Sequence, residues 1–409
     1  MKPLVLINNY INAIFSCKLI IGASIIWLFF PSEFLIAKSK ADSSQIKFKL
    51  PSPTGNYSIS TEIFSITDST RFDTAQNALR IIPFQIWYPS SEKSIPPMYY
   101  IPSTLVTAMV KDQYNNVDSL TITQWEGIII HASLTNTNTI PPKKFPILFF
   151  LHGFGVSRYS YISIIEDLVS HGFVVVSVDS PHSGLLTLPD GKAVSTIYDG
   201  KPIQKCENMA MDVKYIMDWL QRTKNKSIIM IKKNVDFNKA GVLGHSLGGA
   251  AALETCRIDN RFSACIDLDG DPFGKVEEIG LSKPTLILLN EPLFTQDRFK
   301  TPGSRAKWDS MGYERKKLWQ NIFQKNKKNP SYAVRILGTN HYTFTDFPFV
   351  TTQYYKNPNA GIIIDKNRGL LIISSYIRAF FDRFVLKEKT ISIKNMPKKF
   401  RETNLYLST

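Results

Sequence analysis

Cysteine is scarce in this chain: Cys17, Cys206, Cys256 and Cys265 are all it holds, and no two of them stand as C-x-x-C. That spacing argues against a zinc ribbon or a dithiol redox motif. Cys256 and Cys265 could form one bridge in an exported protein, and buried free thiols fit them equally well. Long apolar runs are missing too. The uninterrupted stretch Leu19 to Phe30 has twelve residues, too few to span a bilayer comfortably. Acidic residues are in deficit, 34 Asp and Glu against 49 Lys and Arg, which leaves a net charge of +15 with neutral histidines. The excess lies in three stretches, Arg222 to Lys239, Arg305 to Lys328 and Lys387 to Arg401, none of which carries a nucleic-acid motif. A nucleic-acid partner is therefore not expected; a basic solvated face or contact with an anionic membrane surface accounts for the charge. No internal repeat is present.

What is there begins with a leader. Lys2 and Lys18 precede the apolar run, and Ser39-Lys40-Ala41 offers small residues ahead of Asp42, the layout of a cleavable signal peptide over residues 1–41. An uncleaved N-terminal membrane anchor is the competing reading, so the expected location is exported or membrane-anchored. Residues 42–56, with Pro51, Pro53 and Gly55, read as a linker. A folded domain over 57–390 and a basic tail over 391–409 complete the division.

Within the domain, Tyr57–Ile66 and Leu79–Tyr88 read as an antiparallel hairpin. Residues 96–142 lose periodicity, apart from a helical stretch at Ser103–Val110, and suit a lid, a pocket wall or a plain surface excursion. Alternation then starts. Phe145–Leu151, Phe173–Val178, Phe262–Leu268, Pro284–Asn290 and Tyr332–Leu337 are near-continuous apolar strands, and Tyr159–His171, Cys206–Arg222 and Leu370–Val385 have helical spacing. Strands of that kind alternating with helices mean a mainly parallel sheet covered on both faces, an α/β fold.

The chemistry centres on Gly244-His245-Ser246-Leu247-Gly248-Gly249, between the strand Ala240–Leu243 and a helix starting at Ala250. A strand that reverses into a helix within a few residues holds its serine in a strained conformation and leaves no room for side chains beside it. This is G-x-S-x-G in the setting of a nucleophile elbow. Serine needs a base and an acid to orient that base, and in this fold both follow it along the chain. His131, His152, His171, His182 and His245 precede Ser246; only His341 follows, in a loop just past the strand Tyr332–Leu337. For the acid, Asp267 and Asp269 project to the same side of their strand. Asp269, at the strand's end, is better placed to reach the histidine loop, with Asp267 a buried structural carboxylate and Glu291 the main competitor. Oxyanion donors are expected at the N–H of Leu247 and, from the turn after Phe145–Leu151, the N–H of Phe154. No metal or organic cofactor is called for.

The segments Phe150-Leu-His-Gly-Phe-Gly155, Gly244-His-Ser-Leu-Gly-Gly249, Arg261-Phe-Ser-Ala-Cys-Ile-Asp-Leu-Asp269 and His341-Tyr-Thr-Phe-Thr-Asp-Phe347 together resemble the platelet-activating-factor acetylhydrolase family, of the plasma type, and its bacterial relatives. The resemblance spans roughly residues 55 to 385. It implies an α/β-hydrolase fold and a serine esterase that acts on lipid or other carboxylic esters through an acyl-enzyme and releases short acyl groups from phospholipids. It assigns Ser246, Asp269 and His341 as the triad, with Phe154 and Leu247 as oxyanion donors, and so favours Asp269 over Glu291. Gly270-Asp271-Pro272-Phe273 is more polar than the aromatic-rich stretch the family carries there. General carboxylesterases, lipases and polyester-cleaving esterases share the elbow and form the alternative within enzymes. A non-catalytic hydrolase-fold binding protein at a membrane is the alternative from another class.

Overall fold

The computed structural model describes residues 48–91, 97–112, 114, 117–134, 140–290, 317–326, 329–352, 364–389 and 392–408. The leader, most of the basic stretch Arg305 to Lys328 and the competing acid Glu291 lie outside the described residues. The elements below all belong to one compact unit, Phe48–Ile197 with Lys201–Thr409.

In chain order the unit contains β1 (Ser58–Asp73), β2 (Ala78–Ser90), β3 (Pro97–Tyr99), α1 (Ser103–Lys111), α2 (Ser119–Gln124), β4 (Ile129–Leu134) and β5 (Phe145–Leu151). Then come α3 (Ile162–Ser170), β6 (Val174–Val178), the two-residue strands β7 (Leu186–Thr187) and β8 (Ala193–Val194), α4 (Pro202–Arg222), α5 (Lys226–Lys232) and β9 (Val235–His245). The last part holds α6 (Leu247–Ile258), β10 (Phe262–Leu268), α7 (Lys275–Ile279), β11 (Thr285–Asn290), β12 (Ser331–Ile336), α8 (Phe347–Val350), α9 (Lys366–Phe384), α10 (Met396–Lys399) and β13 (Thr403–Ser408).

Eleven strands form one sheet in the order β13-β12-β11-β10-β9-β5-β6-β2-β1-β4-β3. The run from β12 to β6 is parallel throughout, and β2, β1 and β13 join it antiparallel. The apolar strands explain this: β5, β6 and β11 have scarcely a polar position, because helices cover both of their faces. One layer of the core lies with α3 and α9, the other with α4 and α6. Each is contiguous, as an α/β domain requires.

Connectivity fixes where a site can form. From β5 the chain steps outward to β6 through α3, then returns through α4 to place β9 on the other side of β5. The carboxyl ends of β5 and β9 are therefore a topological switch point, where the loops diverge and leave a crevice. Register brings them level, since Leu151 pairs with Gly244 and Leu268 pairs with His245.

Three regions differ from their sequence reading. Residues 403–408, set within a basic tail, form the edge strand β13 on β12: Thr403 and Leu405 face inward, and the lysine count hides that period-two alternation. The end of the expected linker is docked rather than free. Leu50 is buried, Thr54 donates to Asp167 through both N–H and Oγ1, and Gly55 N–H donates to Ser170 Oγ. The stretch 96–142, read as irregular apart from the helical stretch Ser103–Val110 that forms α1, also carries β3, α2 and β4, with β4 parallel to β1.

Candidate active site

At the end of β9 the backbone turns through Ser246, whose φ of 56° is strained for any residue with a side chain. Its N–H donates to Leu268 O at 2.9 Å, and α6 begins at the next residue. The glycines are there for contact. A Cβ on Gly244 would run into the carbonyl of Gly248, and one on Gly248 into the carbonyls of Leu151 and His152. The serine is thus fixed by three close-packed backbones. Ser246 itself stays partly exposed, within reach of a substrate.

His341 lies just past β12. The chain leaves that strand through Thr339, whose Oγ1 donates to Ile336 O, and turns into a short 3-10 segment capped by Asn340. The Asn340 side chain accepts from the N–H groups of Tyr342 and Thr343, while Thr343 Oγ1 accepts from the Asn340 N–H. That reciprocal cap makes the histidine loop rigid. Farther on, Asp346 N–H donates to Ser160 O, and the buried Asp346 carboxylate accepts from Ser163 N–H at the start of α3.

Among the described residues, Asp269 is the candidate acid that meets His341. Asp269 Oδ2 lies 2.7 Å from His341 Nδ1, and Oδ1 accepts the Asn290 N–H at 3.0 Å. Its own N–H donates to Leu288 O, and its φ is 58°, a second strained residue level with Ser246. Asp267, by contrast, is fully buried beneath the elbow and accepts the Gly270 N–H at 2.7 Å. It packs where α6 starts, as a structural carboxylate should.

The expected donors flank the serine. Leu247 is the first residue of α6, where a helix has no preceding turn to accept its N–H groups. Phe154 follows Gly153, whose Cα faces the Ser246 Cβ. The peptide joining Gly153 and Phe154 is held by His152, whose Nδ1 donates to Gly153 O at 2.7 Å. The other His152 nitrogen, Nε2, accepts Ser180 N–H at 3.1 Å, so the ring must be neutral. Burial supports this by lowering its pKa to about 4. Because a trans peptide points its C=O and N–H to opposite sides, anchoring the carbonyl also sets the direction of Phe154 N–H.

The remaining histidines are engaged elsewhere. His131 Nδ1 meets the buried Glu166, His171 Nδ1 donates to Asp167 O, and His182 Nε2 meets Asp73. His245 is different. It precedes the serine, its ring lies 4.4 Å from that of His341, and it bonds both Tyr161 Oη and the His341 carbonyl. The sequence reading gave neither Tyr161 nor His245 a part in the site. His245 stood in plain view as the variable position of the elbow motif; nothing in the sequence marked Tyr161. Among the described residues there is no cluster of three metal-ligating side chains, and no helix is long and apolar enough to cross a membrane.

Comparison with known proteins follows the same lines. The family model described as platelet-activating factor acetylhydrolase, isoform II, matches residues 42–188 and 192–390. The chain belongs to this family. Among curated members of the acetylhydrolase family and their relatives, a probable 1-alkyl-2-acetylglycerophosphocholine esterase of Arthroderma benhamiae is 24% identical over 85% of this chain and 91% of its own length. The platelet-activating factor acetylhydrolase of Bos taurus is 22% identical over 75% of this chain and 70% of its own. In three dimensions, a ferulic acid esterase from Streptomyces cinnamoneus superposes with a TM-score of 0.72 at 24% identity, covering 88% of this chain and 99% of that one. The fold is that of the α/β-hydrolases, and this acetylhydrolase-family chain is a serine ester hydrolase.

Proposed function

We propose that Ser246, His341 and Asp269 form the catalytic triad, with the N–H groups of Leu247 and Phe154 as the oxyanion hole. The observation that carries this reading is the 2.7 Å bond between Asp269 Oδ2 and His341 Nδ1 on a loop packed against the residue preceding Ser246. With Nδ1 held as the donor to a carboxylate, Nε2 is left as the basic nitrogen. His341 takes the Ser246 proton as Oγ attacks the ester carbonyl. Negative charge then develops where the two backbone donors converge, each worth about 3 kcal/mol of barrier in such sites. The alkoxide leaves with the proton from His341, and water enters along the same route to release the acid.

The substrate is a carboxylic ester of a lipid, and the relatives' names support release of a short acyl group from a glycerophospholipid. The insertion forms a wall of the site in this reading. Its Trp125 stacks on Phe347 at 6.3 Å and donates Nε1–H to Val350 O; Phe347 touches Tyr342, which touches His341. Tyr99, Leu120 and Ile129, exposed on the same insertion, offer apolar surface to a lipid aggregate. Export through the leader suits a substrate held in a membrane.

Ser246→Ala should abolish hydrolysis of a short-chain aryl ester while leaving the thermal unfolding midpoint unchanged. On the wild type, acetylated phospholipids should be cleaved faster than long-chain phospholipids. Retained turnover in Ser246→Ala contradicts the mechanism, and indifference to acyl length contradicts the substrate.

A further inference from the structure

One hydrogen-bond chain joins the turn that holds the expected oxyanion donor to the backbone of the expected base. Gly153 N–H donates to Tyr161 Oη at 2.8 Å, Tyr161 Oη lies 2.9 Å from His245 Nδ1, and His245 Nε2 lies 2.9 Å from the carbonyl oxygen of His341. Tyr161 and His245 are both buried, at 0% and 2% exposure, so water does not compete for these bonds.

Chemistry fixes every proton in the chain. A carbonyl only accepts, so His245 Nε2 carries hydrogen and donates to His341 O. Tyr161 Oη already accepts from Gly153 N–H, and its own proton has one partner, the lone pair of His245 Nδ1. A second proton on that ring would displace the tyrosine's and leave a buried hydroxyl hydrogen without an acceptor. The wiring therefore keeps His245 neutral beside a ring 4.4 Å away that must become an imidazolium during the reaction. Besides Tyr161, the ionisable groups that act on it are His341 and Asp269. Packing agrees: His245 lies stacked with Phe344 of the histidine loop at 21° and against Tyr161.

We infer that Tyr161 and His245 are positioning residues, a neutral bridge that holds the His341 backbone and the Gly153–Phe154 turn in register across Ser246. This rests on the triad reading above. Asp269 fixes the rotation of the His341 ring, whereas His245 fixes the height of its backbone, and Tyr161 links that height to the oxyanion turn. A near-attack geometry depends on both, and small misplacements cost rate more than ground-state binding.

The test is steady-state kinetics on an aryl ester for Tyr161→Phe, His245→Gln and the double variant, with Asp269→Asn alongside and thermal midpoints recorded. Tyr161→Phe removes one oxygen and keeps the ring, and His245→Gln keeps a donor for His341 O, so one of the two remains informative if the other folds poorly. The bridge predicts kcat lowered at least threefold in each single variant, with KM within twofold. It also predicts a double variant no slower than the slower single, because both act through one chain. A kcat within threefold of wild type, a loss carried by KM, or losses that multiply would overturn it. Full activity in Asp269→Asn would instead sink the triad reading, so the two failures are told apart.

Discussion

At the scale of the residue, the polar groups of the site have single partners. Asp269 meets His341 through one oxygen and the Asn290 N–H through the other, so its side chain has no rotational freedom left. Asp269→Asn keeps the shape and loses the charge that orients the imidazole. A fall of about 10³–10⁴-fold in kcat is expected, on the scale of such losses in other triads. Glu291→Gln should stay within a few-fold of wild type. The reverse order in side-by-side kinetics would move the acid to Glu291.

His152 makes the stability of the fold depend on pH. Burial lowers its folded-state pKa to about 4, against an ordinary value of 6.5. Between those values the unfolded chain binds a proton that the native ring refuses, because Nε2 must accept Ser180 N–H. Its contribution is complete above about pH 6.5 and declines as pH falls to about 4, by on the order of 3 kcal/mol in all. Asp346 works the other way. Burial lifts its carboxyl to about 7 despite the N–H groups of Ser163 and Ile162, so native stability from that group declines as pH rises from about 4 to 7. Comparing wild type with His152→Asn cancels the Asp346 share. Urea midpoints at pH 7 and pH 4.5 should show wild type losing more stability than the variant; parallel losses would show that His152 is not the group that titrates.

Elements differ in how openly the sequence declares them. β5 and β10 stand at their expected bounds, Phe145–Leu151 and Phe262–Leu268, because a strand buried on both faces is written as an apolar run between polar turns. The elbow was legible for a steric reason: only glycine fits where β9, α6 and the end of β5 touch. β13 was hidden, since an edge strand needs one apolar face and six residues after a basic run declare little. Its contacts are nevertheless specific. Thr403 Oγ1 lies 2.8 Å from Tyr376 Oη, and Tyr406 lies under the Arg335 guanidinium. Deleting residues 403–409 removes that buried hydrogen bond and the half-buried Leu405, a loss of about 2 kcal/mol, and bares the β12 edge. A lowered thermal midpoint with concentration-dependent association is expected in light scattering. An unchanged midpoint would mean that the strand is dispensable.

Across the whole molecule, the site is a product of topology. Ser246, Asp269 and the turn at Gly153 stand at the carboxyl ends of three adjacent strands, and His341 reaches them from a loop one strand farther out than β11. Chain order therefore gave the candidate base from six histidines; strand ends left Asp269 and Glu291 as candidate acids, and the family resemblance favoured Asp269. The Tyr161–His245 bridge was not legible. Its bonds join residues 84 and 96 positions apart, with no periodicity to betray them, and only the closed fold brings them together. The same holds for Trp125 and Phe347, far apart in the chain and stacked in the fold.

The central claim is that Ser246 is the nucleophile. It is tested most directly by titrating the enzyme with a fluorophosphonate, locating the adduct by peptide mass spectrometry, and following residual esterase activity. One adduct per chain is expected, on the peptide bearing Ser246, with activity falling in proportion to occupancy. Activity that survives full occupancy of Ser246, or a stoichiometric adduct on another residue, would contradict it.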